Sequence, residues 1–255
     1  MIRLKRLLFI ILGTYFIFGL ALFIFQRKFI YFPTPQEFNK CMNLPDASPV
    51  EYEGTRMYVH KATDNWVVIY HGNAGSACDR SYYLNYFSPK NFSYIIVEYA
   101  GYSNDKNSPS QSALMQNVEA ANNYIKTQNP TTITVIGESL GTALASYHSK
   151  INPPNKLLLI SPFDSLSRVS QSHYWFYPTS LMLLDKFPAV KWVKGSNNVL
   201  IIQGTMDTLI PNIFGQALYE QISGKNKSLI KIPGAGHNDI YDFQLTVEEI
   251  TKFLK

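Results

Sequence analysis

Apolar positions along this chain follow three rhythms, and each predicts a different kind of element. The first is unbroken. From Leu7 to Phe25, "LLFIILGTYFIFGLALFIF", 19 residues pass without a charge. At ~1.5 Å per residue, a helix of that length nearly matches a hydrocarbon core of roughly 30 Å. The second is a series of short runs rich in β-branched residues: "WVVIY" (66–70), "YIIVEY" (94–99), "ITVIG" (133–137), "KLLLIS" (156–161), "VLIIQG" (199–204) and "SLIKIP" (228–233). They lack polar alternation, as strands covered on both faces do. The third is helical spacing. It appears in 112–128 (Leu114, Val118, Ala121, Ile125), in 140–150, and in 212–222 (Ile213, Ala217, Leu218, Ile222). A last helix is predicted to open on a capping box, Thr246-Val247-Glu248-Glu249, ahead of Ile250, Phe253 and Leu254. Residues 49–61 read as an antiparallel hairpin leading in. Strand alternating with helix implies an α/β domain whose mostly parallel sheet has helices on both faces.

Composition changes this picture mainly at the N-terminus. The 255 residues suffice for one sizeable core. The net charge of +5 is accounted for by Arg3, Lys5, Arg6, Arg27 and Lys28, which flank the apolar stretch; the other 18 basic residues match 18 acidic ones. A nucleic-acid footprint would need a basic face on the folded domain, and none is indicated. We expect residues 1–28 to form an uncleaved membrane anchor, 29–48 a juxtamembrane linker, and 49–255 the folded domain. The rivals are a cleaved signal peptide, with Gly19-Leu20-Ala21 as a weak cleavage site, and a buried soluble helix. Charge bias favours a cytoplasmic N-terminus and an exported, periplasmic or lumenal/extracellular domain. "QRKFIYFPTP" suits the membrane interface, where aromatic rings and snorkelling cations find partners. Export permits a disulfide, but Cys41 and Cys78 make no framework, and the expectation is two unpaired thiols. Neither lies in a metal-ligand pattern, and no cofactor is implied.

In open parallel sheets, ligands gather past the carboxyl ends of strands. Ser139 stands there, in Gly137-Glu138-Ser139-Leu140-Gly141, between a predicted strand and a predicted helix. A hydroxyl needs a general base to become a nucleophile. Among His60, His71, His148, His173 and His237, only His237 follows the last strand in a loop able to reach Ser139. We expect His148 to be a surface residue, His60 structural or exposed, His71 a loop brace, and His173 part of an insertion. The imidazole needs a carboxylate to hold its tautomer. Asp207 follows "VLIIQGTM", with Asp164 as the fallback, while Asp239 is expected to brace its own loop. Acyl transfer also needs N–H donors for the oxyanion. The backbone of Leu140 is one, and "HGNAG" (71–75) offers Asn73, with Ala74 in reserve.

These pieces resemble the α/β-hydrolase superfamily, and more narrowly the small membrane-anchored abhydrolase-domain serine hydrolases related to bud-emergence proteins. The matching segments are "FQRKFIYFPTP", "YHGNAGS", "VEYAGYS", "VIGESLGTALA", "LIIQGTMDTLIP" and "PGAGHND", which span nearly all of the chain after the apolar stretch. The resemblance implies an α/β-hydrolase fold with Ser139, Asp207 and His237 as nucleophile, acid and base. One departure is Ser103, where the family usually carries the last glycine of its Gly-Tyr-Gly turn.

Residues 162–198 form a long insertion rich in aromatics: Phe163, Tyr174, Trp175, Phe176, Tyr177, Phe187 and Trp192. One or two short helices are expected there, forming a cap over Ser139. An aromatic cap beside a bilayer suits lipophilic acyl esters or thioesters. The alternatives are a serine peptidase of aminopeptidase type, for which the cap offers only Asp164 and Asp185, and a membrane-tethered domain without catalysis.

Overall fold

The computed structural model describes residues 2–193, 198–224 and 226–255. Helix α1 (Ile2–Ile30) leads through a short strand β1 (Phe32–Pro33) and a helical turn at Phe38–Lys40 into the hairpin β2 (Ser48–Tyr52) and β3 (Thr55–His60). Next come β4 (Asn65–Tyr70), β5 (Ala74–Gly75), a tight helical segment Ala77–Asn85, β6 (Ser93–Val97), α2 (Gln111–Thr127), β7 (Thr132–Glu138), α3 (Leu140–Ile151) and β8 (Lys156–Ile160). Three short helices, α4 (Leu166–His173), α5 (Thr179–Met182) and α6 (Ala189–Trp192), occupy the insertion. The chain closes with β9 (Asn198–Gly204), α7 (Asn212–Gln221), β10 (Asn226–Ile232) and α8 (Gln244–Leu254).

Eight strands form the main sheet in the order β10-β9-β8-β7-β4-β6-β3-β2. From β10 to β6 all pairs are parallel, and the hairpin adds antiparallel strands at one edge. The register explains why the strand sequences show no polar alternation. Val68, Val135, Leu157 and Val199 form one row across the sheet, while the next residues, Ile69, Ile136, Leu158 and Leu200, form another. Successive side chains point to opposite faces. The first row packs under α2, α3, α6 and α7, and the second under the Ala77–Asn85 segment and α8. The chain runs from β4 to β6 on one side and then to β7 on the other, so β4 sits at the reversal of strand order. The carboxyl ends of β4 and β7 therefore lie side by side, the position at which such sheets bind ligands.

Several expectations are corrected. His148 is fully buried, because α3 is covered nearly all round: every residue from Leu140 to Ser149 is buried between the sheet, α2 and α6. Its Nδ1 accepts the hydroxyl of Tyr70 at 2.8 Å, and burial keeps that phenol protonated. Cys41 and Cys78 are paired, with Cα atoms 5.7 Å apart. The segment before β2 folds back over the Ala77–Asn85 helix, a juxtaposition that spacing alone does not reveal. Residues read as a linker are held there at further points, with β1 beside β5 and Phe38 against the Tyr58 ring at 4.8 Å. Helix α8 begins two residues before Thr246, whose side chain lies buried in the first turn and caps nothing. Ser103, where the resemblance led us to expect glycine, takes φ 48° and donates to Glu98 at 2.6 Å. That hydrogen bond helps offset the strain of a left-handed backbone at a residue with a side chain.

Burial, with a smaller contribution from Lys126, lowers the His148 pKa from 6.5 to about 3. Between those values the unfolded chain binds the extra proton, so stability falls as pH drops through that window. Between pH 7 and pH 5 this one group should cost about 2 kcal/mol. Urea unfolding of His148→Gln, which keeps an acceptor for Tyr70, should show a pH dependence smaller by that amount; an unchanged dependence would contradict the assignment.

Candidate active site

Ser139 lies between β7 and α3 with φ 51° and ψ −117°, a backbone strained for a residue with a side chain. The turn is held by its neighbours. The Ser139 N–H donates to Ile160 O at 2.9 Å, and its carbonyl accepts the Thr142 hydroxyl at 2.6 Å. The flanking glycines are required by space. A Cβ on Gly137 would lie 2.7 Å from Thr142 Cα, and one on Gly141 would overlap the carbonyl oxygens of Tyr70 and His71. The first turn of α3 is thus pressed against the end of β4, and Ser139 is presented beside the His71–Gly75 loop.

Two further strand ends converge there. His237 Nε2 lies 3.0 Å from Ser139 Oγ, and His237 Nδ1 lies 2.8 Å from Asp207 Oδ2. The other carboxylate oxygen, Oδ1, accepts the N–H groups of Leu209 (3.0 Å) and Ile210 (2.7 Å). An ionised carboxylate only accepts, so Nδ1 carries the proton and Nε2 is left to take one from Ser139. Asp207 is wholly buried at its side chain, and the imidazole is one-tenth exposed. The loop bearing His237 is fixed by Met206 N–H on Ala235 O (2.8 Å) and by Asp239, which accepts Gly236 N–H at 2.7 Å. Such an arrangement can relay a proton from Ser139 while Asp207 balances the resulting imidazolium.

The remaining sequence-derived residues sort themselves by position. Asn73 and Leu140 line the same cavity as Ser139. Leu140 is the first residue of α3, where a backbone N–H has no acceptor within the helix. The Asn73 side chain turns away, donating to Ile30 O at 2.9 Å, and its carbonyl accepts from Phe32 N–H and the Tyr102 hydroxyl. Ala74 is tied instead through its carbonyl to Arg80 at 2.7 Å. His71 is buried, with Nδ1 on the Gly72 carbonyl and its ring stacked on Tyr99 at 3.9 Å. His60 lies between the carbonyls of Asp46 and Pro89, and His173 donates to Leu209 O. Asp164 is held by Arg168 and the Ser165 N–H, while His237 pairs with Asp207.

Two features escape motif reading. Glu138, beside Ser139, accepts from Tyr82 and Tyr83, lies 3.5 Å from Arg80 Nε, and through Tyr83 reaches Tyr241 at 2.7 Å. Arg80 therefore bridges the Ala74 carbonyl to the residue preceding Ser139. The second is the cavity wall. The cavity measures about 560 Å³, and besides cap residues such as Val169 and Tyr177 it is lined by Leu22, Phe23, Gln26, Phe29 and Ile30 of α1. The apolarity of residues 7–25 indicated a membrane segment, and nothing in the sequence indicated a wall of the site.

No established family profile matches the chain. An uncharacterized protein of Mycobacterium tuberculosis is 30% identical over 254 residues, covering 92% of this chain and 90% of that protein. The α/β hydrolase domain-containing protein 17C of Xenopus tropicalis is 30% identical over 197 residues, covering 74% of this chain and 61% of its own length. Among solved structures, Est1E from Butyrivibrio proteoclasticus with ferulic acid bound superposes with a TM-score of 0.67 at 18% identity, covering 82% of this chain and 98% of that one. A thermophilic esterase from Thermogutta terrifontis, with propionate bound, gives 0.66 at 18% identity, covering 83% and 94%. At those identities the solved structures establish a common fold.

The close approach at Gly141 is directly testable. Gly141→Ala forces a methyl group into the backbone of β4 and should cost about 3 kcal/mol, lowering Tm by roughly 8 °C. Gly13→Ala, with nothing within 4 Å of its added Cβ, serves as the control. Equal melting temperatures for the two variants would contradict the contact.

Proposed function

The chain belongs to the α/β-hydrolase superfamily, and from that premise we propose that it is a serine hydrolase cleaving carboxylic ester or thioester bonds of lipophilic acyl substrates beside a membrane. The observation that carries this reading is the unbroken relay from Ser139 Oγ to His237 to Asp207. Ser139 attacks the acyl carbonyl as His237 Nε2 takes its proton. The N–H groups of Leu140 and Asn73 receive the oxyanion, and the same imidazole returns the proton to the leaving group. Water activated by His237 then releases the acyl group.

The cavity lining supports an apolar acyl chain. Among its described residues none is Asp, Glu, Lys or Arg. An aminopeptidase would need a carboxylate for the substrate's ammonium group, and both acids of the cap are engaged. Asp164 pairs with Arg168, and Asp185 accepts from Arg27, Tyr31 and the Gln111 N–H, each at 3.0 Å.

We further propose that α1 is retained as a single-pass anchor, with its N-terminus cytoplasmic and the hydrolase domain exported. Removing α1 would strip a wall from the cavity and leave Asp185 without Arg27. The weak cleavage site is itself a packing surface, since Gly19 is buried against the ring of Tyr177. The Cys41–Cys78 bridge favours an oxidising compartment.

A fluorophosphonate probe should label the wild type and leave Ser139→Ala unlabelled. The same substitution should reduce ester turnover by roughly 10⁶-fold, and Asp207→Asn by about 10⁴-fold. Undiminished labelling of Ser139→Ala would sink the proposal. In a chain-length series of p-nitrophenyl esters, medium chains should outperform acetate; preference for aminoacyl peptides would favour the peptidase instead.

A further inference from the structure

The cap grips α1 far from its C-terminal end. The Tyr15 hydroxyl donates to Phe176 O at 2.8 Å, the Tyr177 hydroxyl donates to Tyr15 O at 2.7 Å, and the two rings stack at 4.5 Å. Gly19 has no Cβ, which lets the Tyr177 ring lie against the helix; a Cβ there would come within 2.8 Å of it. Lower down, Gln26 accepts the Leu184 N–H at 2.7 Å, and Arg27 pairs with Asp185. Helix and cap are one packed unit over this length.

That unit has a geometric consequence. Tyr15 lies ten positions before Phe25, so it stands ~15 Å along the axis from the end of the apolar stretch, about half the depth of a hydrocarbon core. If α1 crosses a bilayer, the cap segment attached at Tyr15 cannot remain in water. Its chemistry agrees. Residues 174–184, "YWFYPTSLMLL", carry no charge. Trp175 (77%), Leu181 (81%), Leu184 (56%) and Phe176 (45%) are exposed there, continuous with the exposed apolar face of α1. The first charges beyond are Asp185 and Lys186, level with Arg27 and Lys28 at the end of α1, where headgroups would lie.

The cavity mouth faces the same way. Lining residues that are also exposed mark its rim, and they include Phe23 and Phe29 of α1 together with Tyr174 and Leu209. This rim, mainly apolar with His173 among it, runs from α1 to the cap and the loop after β9 and opens toward whatever covers those surfaces.

We propose that the cap tip, residues 174–184, is inserted in the same bilayer leaflet as the C-terminal half of α1, and that acyl substrate enters the cavity laterally from the acyl-chain region, between α1 and the cap. The lateral route rests on the hydrolase reading above; the insertion does not.

Trp175 makes the insertion measurable. The other tryptophans, Trp66 and Trp192, are buried, so the emission lost in Trp175→Phe isolates its signal. In full-length protein reconstituted into phosphatidylcholine vesicles, lipids brominated on the acyl chains should quench that signal and aqueous iodide should not. Quenching by iodide alone overturns the proposal. Shielding from both also overturns it, by assigning the surface to a protein contact such as a second copy of this chain. The route is tested with the double variant Trp175→Ser/Leu181→Ser, neither residue lining the cavity. It should keep turnover of a water-soluble short-chain ester and lose roughly tenfold or more on a long-chain ester held in vesicles. Unchanged vesicle turnover overturns the lateral route. A wild type inactive on both esters would instead overturn the hydrolase reading, while the quenching result stands.

Discussion

The site depends first on one steric contact, that of Gly141 with the carbonyls ending β4. Because nothing larger than hydrogen fits there, the first turn of α3 and the loop leaving β4 behave as one rigid piece. Ser139 is carried on one side of that piece and Asn73 on the other, so their spacing is set by backbone packing. Side-chain rotamers have little part in it. The strained dihedrals at Ser139 persist because its own N–H and C=O are both engaged by the surrounding structure.

Around that piece three carboxylates are each engaged by several donors. Asp207 is satisfied by two backbone N–H groups and one imidazole. Glu138 is shared among two phenols and Arg80, whose other end holds the Ala74 carbonyl. Asp185 ties together the cap, the start of α2 and the end of α1. A buried carboxylate without such donors would be costly to ionise, so each of these junctions is all or nothing. The outcome is a candidate site whose polar atoms serve geometry and a cavity whose lining is left mainly to apolar contact.

The strands and the three converging residues were legible because both signals are local. An unbroken β-branched run ends at a definite residue, and parallel pairing brings those ends to one edge. What stayed illegible depends on what covers an element. His148 sits in "LASYHSK", which reads as an exposed helix end until α2 and α6 close over it. Cys41 and Cys78 meet because a segment without regular spacing folds back. Thr246 fits a capping pattern, yet the helix had already begun at Gln244. Glu138 is the unspecified position of its motif, and its partners lie in "RSYYLNY" (80–86), where no pattern marks them. The apolarity of α1 was plain, but its partners lie some 160 residues downstream.

That separation has a consequence for how the chain is made. The contacts between Tyr15 and the Phe176–Tyr177 pair close a loop of 161 or 162 residues. Synthesis proceeds from the N-terminus, so α1 emerges long before the cap that grips it exists. The cap partners of its Tyr15, Gln26 and Arg27 are synthesised only after β4 to β8. Helix α1 is therefore translated some 160 residues before the cap residues that hold Tyr15 in place.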